Sequence, residues 1–318
     1  MNHLRAASKL LVPKRDATTQ AKNFGAYCAA HQVKSMGQLK VAKGPTSGCR
    51  GLVARKAIPQ GGTVVAVPRA AWLSVVDAVK DHGFLARAAI DTQGNFPIPR
   101  DNIGARTLGG FVQHHHVLLG LYMCDILLQD DVDANNGRLK FVDFMPRYDG
   151  DFSQLITQMA PLVEATPLTE PISAMLARHY KLERDALFGL LMWCLCMLFS
   201  RSVPMAHPPV VAALTRHTPF AALGELPAPA SQQEAQERAK AGLAGLPVLV
   251  PMVDLVNHAR DASGVNVELA VPTAPVGGVG EGDVLVLQAT KPIAVDEELL
   301  MQYAGGDANY ARIFYGVP

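Results

Sequence analysis

The stretch Pro251-Met252-Val253-Asp254-Leu255-Val256-Asn257-His258 decides how the rest of the chain reads. A β-branched run, Val248-Leu249-Val250, reaches a proline, and a short turn of helix is expected to present Asp254, Asn257 and His258 within five positions. Asn and His side chains each offer a donor and an acceptor, which suits them to reading an amine and a purine edge together. An Asn-His pair in a loop is also an ordinary cap or turn, so this stretch alone leaves both readings open.

On either side the chain changes character. Upstream, Leu108 to Leu128 is long, apolar and free of proline, which predicts a helix; two more are expected over Pro171 to Tyr180 and Glu183 to Ser200. Asp130, Asp131 and Asp133 read as a solvated helix end before a turn at Asn136-Gly137. They lack the glycine and distal Glu of an EF-hand loop. The Pro- and Ala-rich passage from Pro204 to Pro229, with a polar stretch from Ser231 to Lys240 that suits a surface helix, reads as a long loop or insertion. Gly51 to Arg55 and Thr63 to Val67 read as strands around the turn Ile58 to Gly62. Val265 to Val271, Asp283 to Ala289 and Leu299 to Tyr303 read as strands near the other end. Strands at both ends with helices between them imply one α+β domain whose ends share a sheet system. The expected division is a leader over 1–20, a first part over 21–107, a helical insertion over 108–246 with a loop at 204–240, and a last part over 247–318.

Composition narrows the class. In 318 residues, 49% are hydrophobic and 18% charged, which describes a globular chain and excludes a disordered one. The longest apolar run, Leu187 to Phe199, is shorter than the ~20 residues of a membrane helix, so no membrane partner is expected. Met192, Trp193 and Met197 at helical spacing read as core. Cys28, Cys49, Cys124, Cys194 and Cys196 are odd in number and form no CxxC pair, the usage of a reducing compartment such as cytoplasm or nucleus. Arg5, Lys9, Lys14 and Arg15 alternate with Leu4, Leu10, Leu11 and Val12. That pattern fits either an ordinary amphipathic leader or a transit peptide to mitochondrion or plastid. No acidic residue falls between Ala17 and Val76, where Lys22, Lys34, Lys40, Lys43, Arg50, Arg55, Lys56 and Arg69 lie. Either they form a basic face or later acids compensate them in space; no run longer than Arg55-Lys56 appears, and a nucleic-acid partner is not expected. His114-His115-His116 cannot all reach one ion from a helix, because consecutive residues point about 100° apart, and they read as an exposed helix start. No metal site is expected.

Two further blocks make the first stretch specific. One is Ile293-Ala294-Val295-Asp296-Glu297-Glu298-Leu299-Leu300-Met301-Gln302-Tyr303, followed by Asn309 and Tyr315-Gly316. The other is Gly48-Cys49-Arg50-Gly51-Leu52-Val53-Ala54, followed by Ala57-Ile58-Pro59 and Val67-Pro68-Arg69. In this order the three blocks resemble the SET-domain methyltransferases, in particular the branch typified by the Rubisco large-subunit lysine methyltransferase, where a helical insertion splits the SET domain. Phe24 to Gly37 resembles the leading helix of that branch, Phe144-Met145-Pro146 its "LP" turn and Phe199-Ser200-Arg201-Ser202-Val203 its "SRSF" segment, so the resemblance runs from Phe24 to Val317.

The resemblance implies a SET fold of short twisted sheets. It also implies S-adenosylmethionine (SAM) as methyl donor, S-adenosylhomocysteine as product, and a protein substrate, non-histone by the habit of the branch. By the same resemblance the Gly51-Leu52 backbone lies along the cofactor, and Arg201 and Asp254 help to hold it. Asn257 and His258 bind its amine and adenine, Tyr303 stands at the methyl-transfer channel, and Tyr315 or Phe314 lines the target pocket. Such chemistry needs a neutral nucleophile, and neutralising a lysine of pKa near 10.4 at pH 7 costs roughly 4.6 kcal/mol. A dry channel beside a sulfonium lowers that pKa. The branch also contains a histidine methylator, and a SET fold without turnover serves equally as a protein-binding module; both remain alternatives. The departures are Cys49 where the family has Gly, Asp296 for Gly, Ala304 for Gly, and one residue fewer between Asn309 and Tyr315. The chain ends at Pro318, where the branch continues into a helical substrate-binding domain, and that domain is expected to be absent.

Overall fold

A computed structural model describes residues 15–34, 36–89, 114–129, 131–146, 169–205, 246–270 and 284–303, with positions 7, 9, 10 and 163 besides. Of the expected site residues, Gly51, Leu52, Arg201, Asp254, Asn257, His258 and Tyr303 lie inside this set, whereas the two pocket positions Phe314 and Tyr315 lie outside it. Most of the loop expected at 204–240 and the start of the helix expected from Leu108 also lie outside the described residues.

The first helix, α1 (Ala17–Ala30), starts seven residues before the expected Phe24, because Asp16 caps it by accepting from the Thr19 amide at 2.8 Å. A hairpin follows, β1 (Leu39–Lys43) with β2 (Arg50–Ala54), antiparallel with Ala42 opposite Gly51. Then come β3 (Thr63–Pro68), β4 (Leu73–Ser74), α2 (Val75–Lys80) and α3 (His82–Arg87). The helical middle holds α4 (His114–Leu128), α5 (Ala134–Val142), α6 (Thr169–Tyr180) and α7 (Arg184–Arg201). After it lie β5 (Val203–Met205), β6 (Leu246–Leu249), β7 (Asn257–His258), β8 (Val267–Ala270), β9 (Val284–Ala289) and β10 (Leu300–Met301).

The described strands form four small sheets: β1-β2, β3-β9-β8, β4-β6-β5 and a parallel pair, β7-β10. Two of them join the early and late parts of the chain, as expected: β3 pairs with β9 and β4 with β6. The strands β2 and β3 flank their turn as expected, yet they pair with other partners instead of each other.

One continuous apolar core spans helices and sheets. α7 is buried from Ala186 to Phe199, including Met192, Trp193, Cys194, Cys196 and Met197. It packs so closely on α4 that a Cβ on Gly120 would lie 3.0 Å from both Leu191 and Leu195 side chains. Phe24 of α1 stacks on Phe144 with ring centroids 4.3 Å apart, which ties the first helix to the segment after α5. Ala7 is buried in the same core and Leu10 packs against it.

Three local expectations need correction. His116 is buried and stacked on Phe199 at 4.8 Å, so the helix face carrying it turns into the core and is not an exposed start. Asn136-Gly137 lies within α5; the turn signal survives only as the left-handed backbone of Gly137, φ 71°. Asn257-His258 forms a strand, and only Asp254 sits on the short helical turn, Val253–Leu255. Among the described residues no helix is long and apolar enough to cross a membrane. Lys40 meets Asp296 at 2.5 Å, so at least this early base is compensated by a late acid.

Candidate active site

β5 and β6 run antiparallel with Val203 opposite Val248, and this register sets the end of α7 beside the turn that follows β6. Arg201 Nη1 therefore donates to the Asp254 carbonyl oxygen at 2.6 Å. The turn opens at Met252, whose φ of 73° is a left-handed value that a non-glycine residue adopts only at a cost. Asp254 is buried, and its Oδ1 finds no hydrogen-bond partner among the described residues; the same is true of Arg201 Nε. Burial pushes the Asp254 carboxyl up to about 6, against the opposing pull of Arg201 and Arg50.

Three residues after Asp254, β7 lies parallel to β10 with Asn257 opposite Leu300 and His258 opposite Met301. The pairing brings Tyr303 next to His258: its backbone amide donates to His258 Nδ1 at 3.0 Å, and the rings stand 5.1 Å apart. Because Nδ1 accepts, Nε2 carries the proton of the neutral ring and is a donor. Burial also lowers the His258 pKa, which favours that neutral form. The Tyr303 hydroxyl donates to the Val256 carbonyl, and burial raises its pKa, so it stays protonated. A tyrosine hydroxyl that donates its proton is also able to accept a hydrogen bond. Arg201, Asp254, Cys49 and Glu298 are all near enough to bear electrostatically on Tyr303.

The β1-β2 hairpin supplies the opposite wall. Gly51 lies against Asn257, and a Cβ there would overlap the Asn257 amide nitrogen and come within 3.3 Å of the Leu255 carbonyl. Only glycine permits this approach. The Leu52 side chain is fully buried and its carbonyl accepts from the Leu299 amide at 2.9 Å, so this residue packs and pairs. The hairpin turn closes by Gly44 N–H to Cys49 O at 2.7 Å, with Gly48 at φ 72°. The left-handed position is thus filled by Gly48, and Cys49 is an exposed residue beyond it, unlike the other four cysteines, which are buried. The Asp296 substitution is accommodated in a similar way, since its φ is 64° and Asp tolerates that region.

Gly51, Arg201, Asp254, Asn257, His258 and Tyr303 therefore converge. Sequence reasoning missed two participants, Glu298 and Ser47. Glu298 is buried and accepts from Asn257 Nδ2 at 2.8 Å and from Ser47 Oγ at 2.5 Å. In sequence it is one half of an unremarked Glu-Glu pair, and its partner Ser47 lies 251 residues away. Among the described residues no group of three or more His, Cys, Asp or Glu side chains could hold a metal ion.

No model of a known protein family matches the chain, and no curated protein does. Solved structures do. The SET domain of LSMT bound to lysine and AdoHcy aligns with a TM-score of 0.55 at 16% identity, over 94% of this chain and 57% of that one. Rubisco LSMT bound to AdoMet aligns with a TM-score of 0.52 at 14% identity, over 93% of this chain and 55% of that one. The chain spans little more than half the length of these proteins, and at such identities the likeness is one of fold. The α+β architecture of small sheets around a helical middle is the SET-domain fold.

Proposed function

We propose that the chain is a SAM-dependent protein N-methyltransferase acting on a lysine side chain of a non-histone protein. The observation that carries this reading is the parallel pairing of Asn257-His258 with Leu300-Met301, which sets Tyr303 against His258 while Gly51 closes on Asn257. The fold neighbours support it, having been solved with AdoMet, AdoHcy, lysine or monomethyllysine.

The residues present fit the cofactor. Arg201 Nε is a buried donor without a partner among the described residues, suited to a carboxylate. His258 Nε2 is a donor suited to a purine edge, and Asn257 keeps its carbonyl as an acceptor for an ammonium. SAM, when bound, supplies a methyl group on a sulfonium, already electrophilic. The protein's part is alignment and water exclusion. Tyr303, its proton held by Val256, accepts an N–H of the incoming neutral amine and so turns the lone pair toward the methyl group. A SET fold kept only for binding is less well supported, because the hairpin turn closes despite Cys49.

Calorimetry with S-adenosylhomocysteine on the wild type and on an Asn257→Ala/His258→Ala double variant tests the cofactor site. Binding in the micromolar range that the double variant loses is expected. Transfer of labelled methyl from SAM to lysate proteins is then expected, and Tyr303→Phe should reduce it roughly 100-fold or more. A folded wild type that does not bind the nucleotide would sink the proposal.

A further inference from the structure

We infer that Glu298 is a positioning residue that locks Asn257 as a hydrogen-bond acceptor, so that the site selects nucleosides carrying an ammonium on their sulfur-linked tail. The inference rests on the cofactor reading above and deepens it.

Glu298 is held by the segment that pairs with β2: Val53 bridges to it, and the Leu299 amide donates to the Leu52 carbonyl at 2.9 Å. Its carboxylate lies directly over Gly44, where any Cβ would overlap it. Oε2 accepts from the Thr46 and Ser47 amides, both at 2.9 Å. Oε1 accepts from Ser47 Oγ at 2.5 Å and Asn257 Nδ2 at 2.8 Å. Burial opposes its ionisation, but these four bonds outweigh burial and hold the carboxyl below the usual Glu value. At neutral pH the group is therefore an acceptor and nothing else.

An acceptor of that kind dictates the orientation of the amide beside it. Asn257 must turn its NH2 toward Glu298, since a flipped amide would set oxygen against oxygen. The same NH2 also reaches Ser47 Oγ at 3.1 Å, on the side where Glu298 lies. Ser47 has no freedom left, because it donates to Glu298 and also accepts from the Cys49 amide at 3.0 Å. With its NH2 turned to the cluster, Asn257 Oδ1 is directed away from it, and no described residue bonds to it. A carbonyl oxygen fixed in this way accepts from donors alone and bonds most strongly to a charged one, which favours the primary ammonium of the cofactor reading over a carbonyl or a carboxylate.

The rival role is a plain staple for the hairpin turn, through Thr46 and Ser47. The two separate when two ligands are compared: S-adenosylhomocysteine, and 5′-methylthioadenosine, which keeps the adenosine and sulfur but has no ammonium or carboxylate. For Glu298→Gln, Asn257→Ala and the double variant, calorimetry gives both dissociation constants. Glu298→Gln should weaken S-adenosylhomocysteine roughly 10-fold or more, and methylthioadenosine by no more than about twofold. The double variant should bind no more weakly than Asn257→Ala, within about twofold, because Glu298 acts through that residue. Equal losses for both ligands, or additive losses in the double variant, overturn the inference. A wild type that binds neither ligand overturns the cofactor reading itself, whereas a normal wild type with an unchanged Glu298→Gln overturns only the role of Glu298. If Glu298→Gln does not fold, Ser47→Ala in the turn is decisive: about a threefold loss confined to S-adenosylhomocysteine supports the lock, and no difference between ligands refutes it.

Discussion

Asp254 is a carboxylate that the fold buries next to two arginines without giving its Oδ1 a partner among the described residues. Burial outweighs Arg201 and Arg50, so its carboxyl rises from the usual 3.8 to about 6. The folded chain thus binds that proton more tightly than the unfolded chain does. The resulting stability is fully present below the unfolded value and is lost as pH rises through the folded one. Asp254→Asn keeps the backbone carbonyl that Arg201 uses and removes the titration. Relative to this variant, the wild type should lose up to roughly 3 kcal/mol between about pH 4 and pH 7, read from urea unfolding. A wild type that gains on the variant over that range would contradict the burial argument. At this scale Asn257, His258 and Tyr303 were candidates through the resemblance of the three blocks, since residue types and spacing alone left the Asn-His pair open, and the structure sets them side by side. Glu298 was not, because nothing local distinguishes it from Glu297; only its distant donors do.

The helices owe their positions to packing. α4 and α7 were readable as long apolar runs without proline, and the structure places both in the core. Which faces meet was not readable, because both are apolar almost all round and offer no polar side to orient them. Gly120 records the outcome: a Cβ there would already press on Leu191 and Leu195. Gly120→Val should therefore destabilise the protein by about 1–3 kcal/mol. Since α7 ends at Arg201, the same change should weaken the nucleotide binding proposed above even in protein that remains folded. Thermal melts and calorimetry on one preparation test both effects, and an unchanged melting temperature would refute the close packing.

Across the whole molecule, the early strands complete their sheets with late ones. β3 depends on β9, β4 on β6, and β2 on the segment through Glu298 and Leu299. A chain ending at residue 245 would leave β3 and β4 without these partners and expose their buried side chains. Such a fragment should show no cooperative thermal transition and no near-ultraviolet circular dichroism. A sharp transition would mean that the first part is an independent unit.

The long helices and the longer strands were determined by the sequence alone, because proline, glycine, β-branched runs and apolar periodicity act over a few residues. The placement of strands at both ends of the chain was likewise enough to imply a shared sheet system. Only the tertiary structure decided the partners: β2 with β1, β7 in parallel with β10, Gly51 against Asn257, and Ser47 with Asn257 on one buried carboxylate. Hydrogen bonds that close over 41 to 252 residues depend on the register of several strands at once, and no short stretch of sequence carries that register.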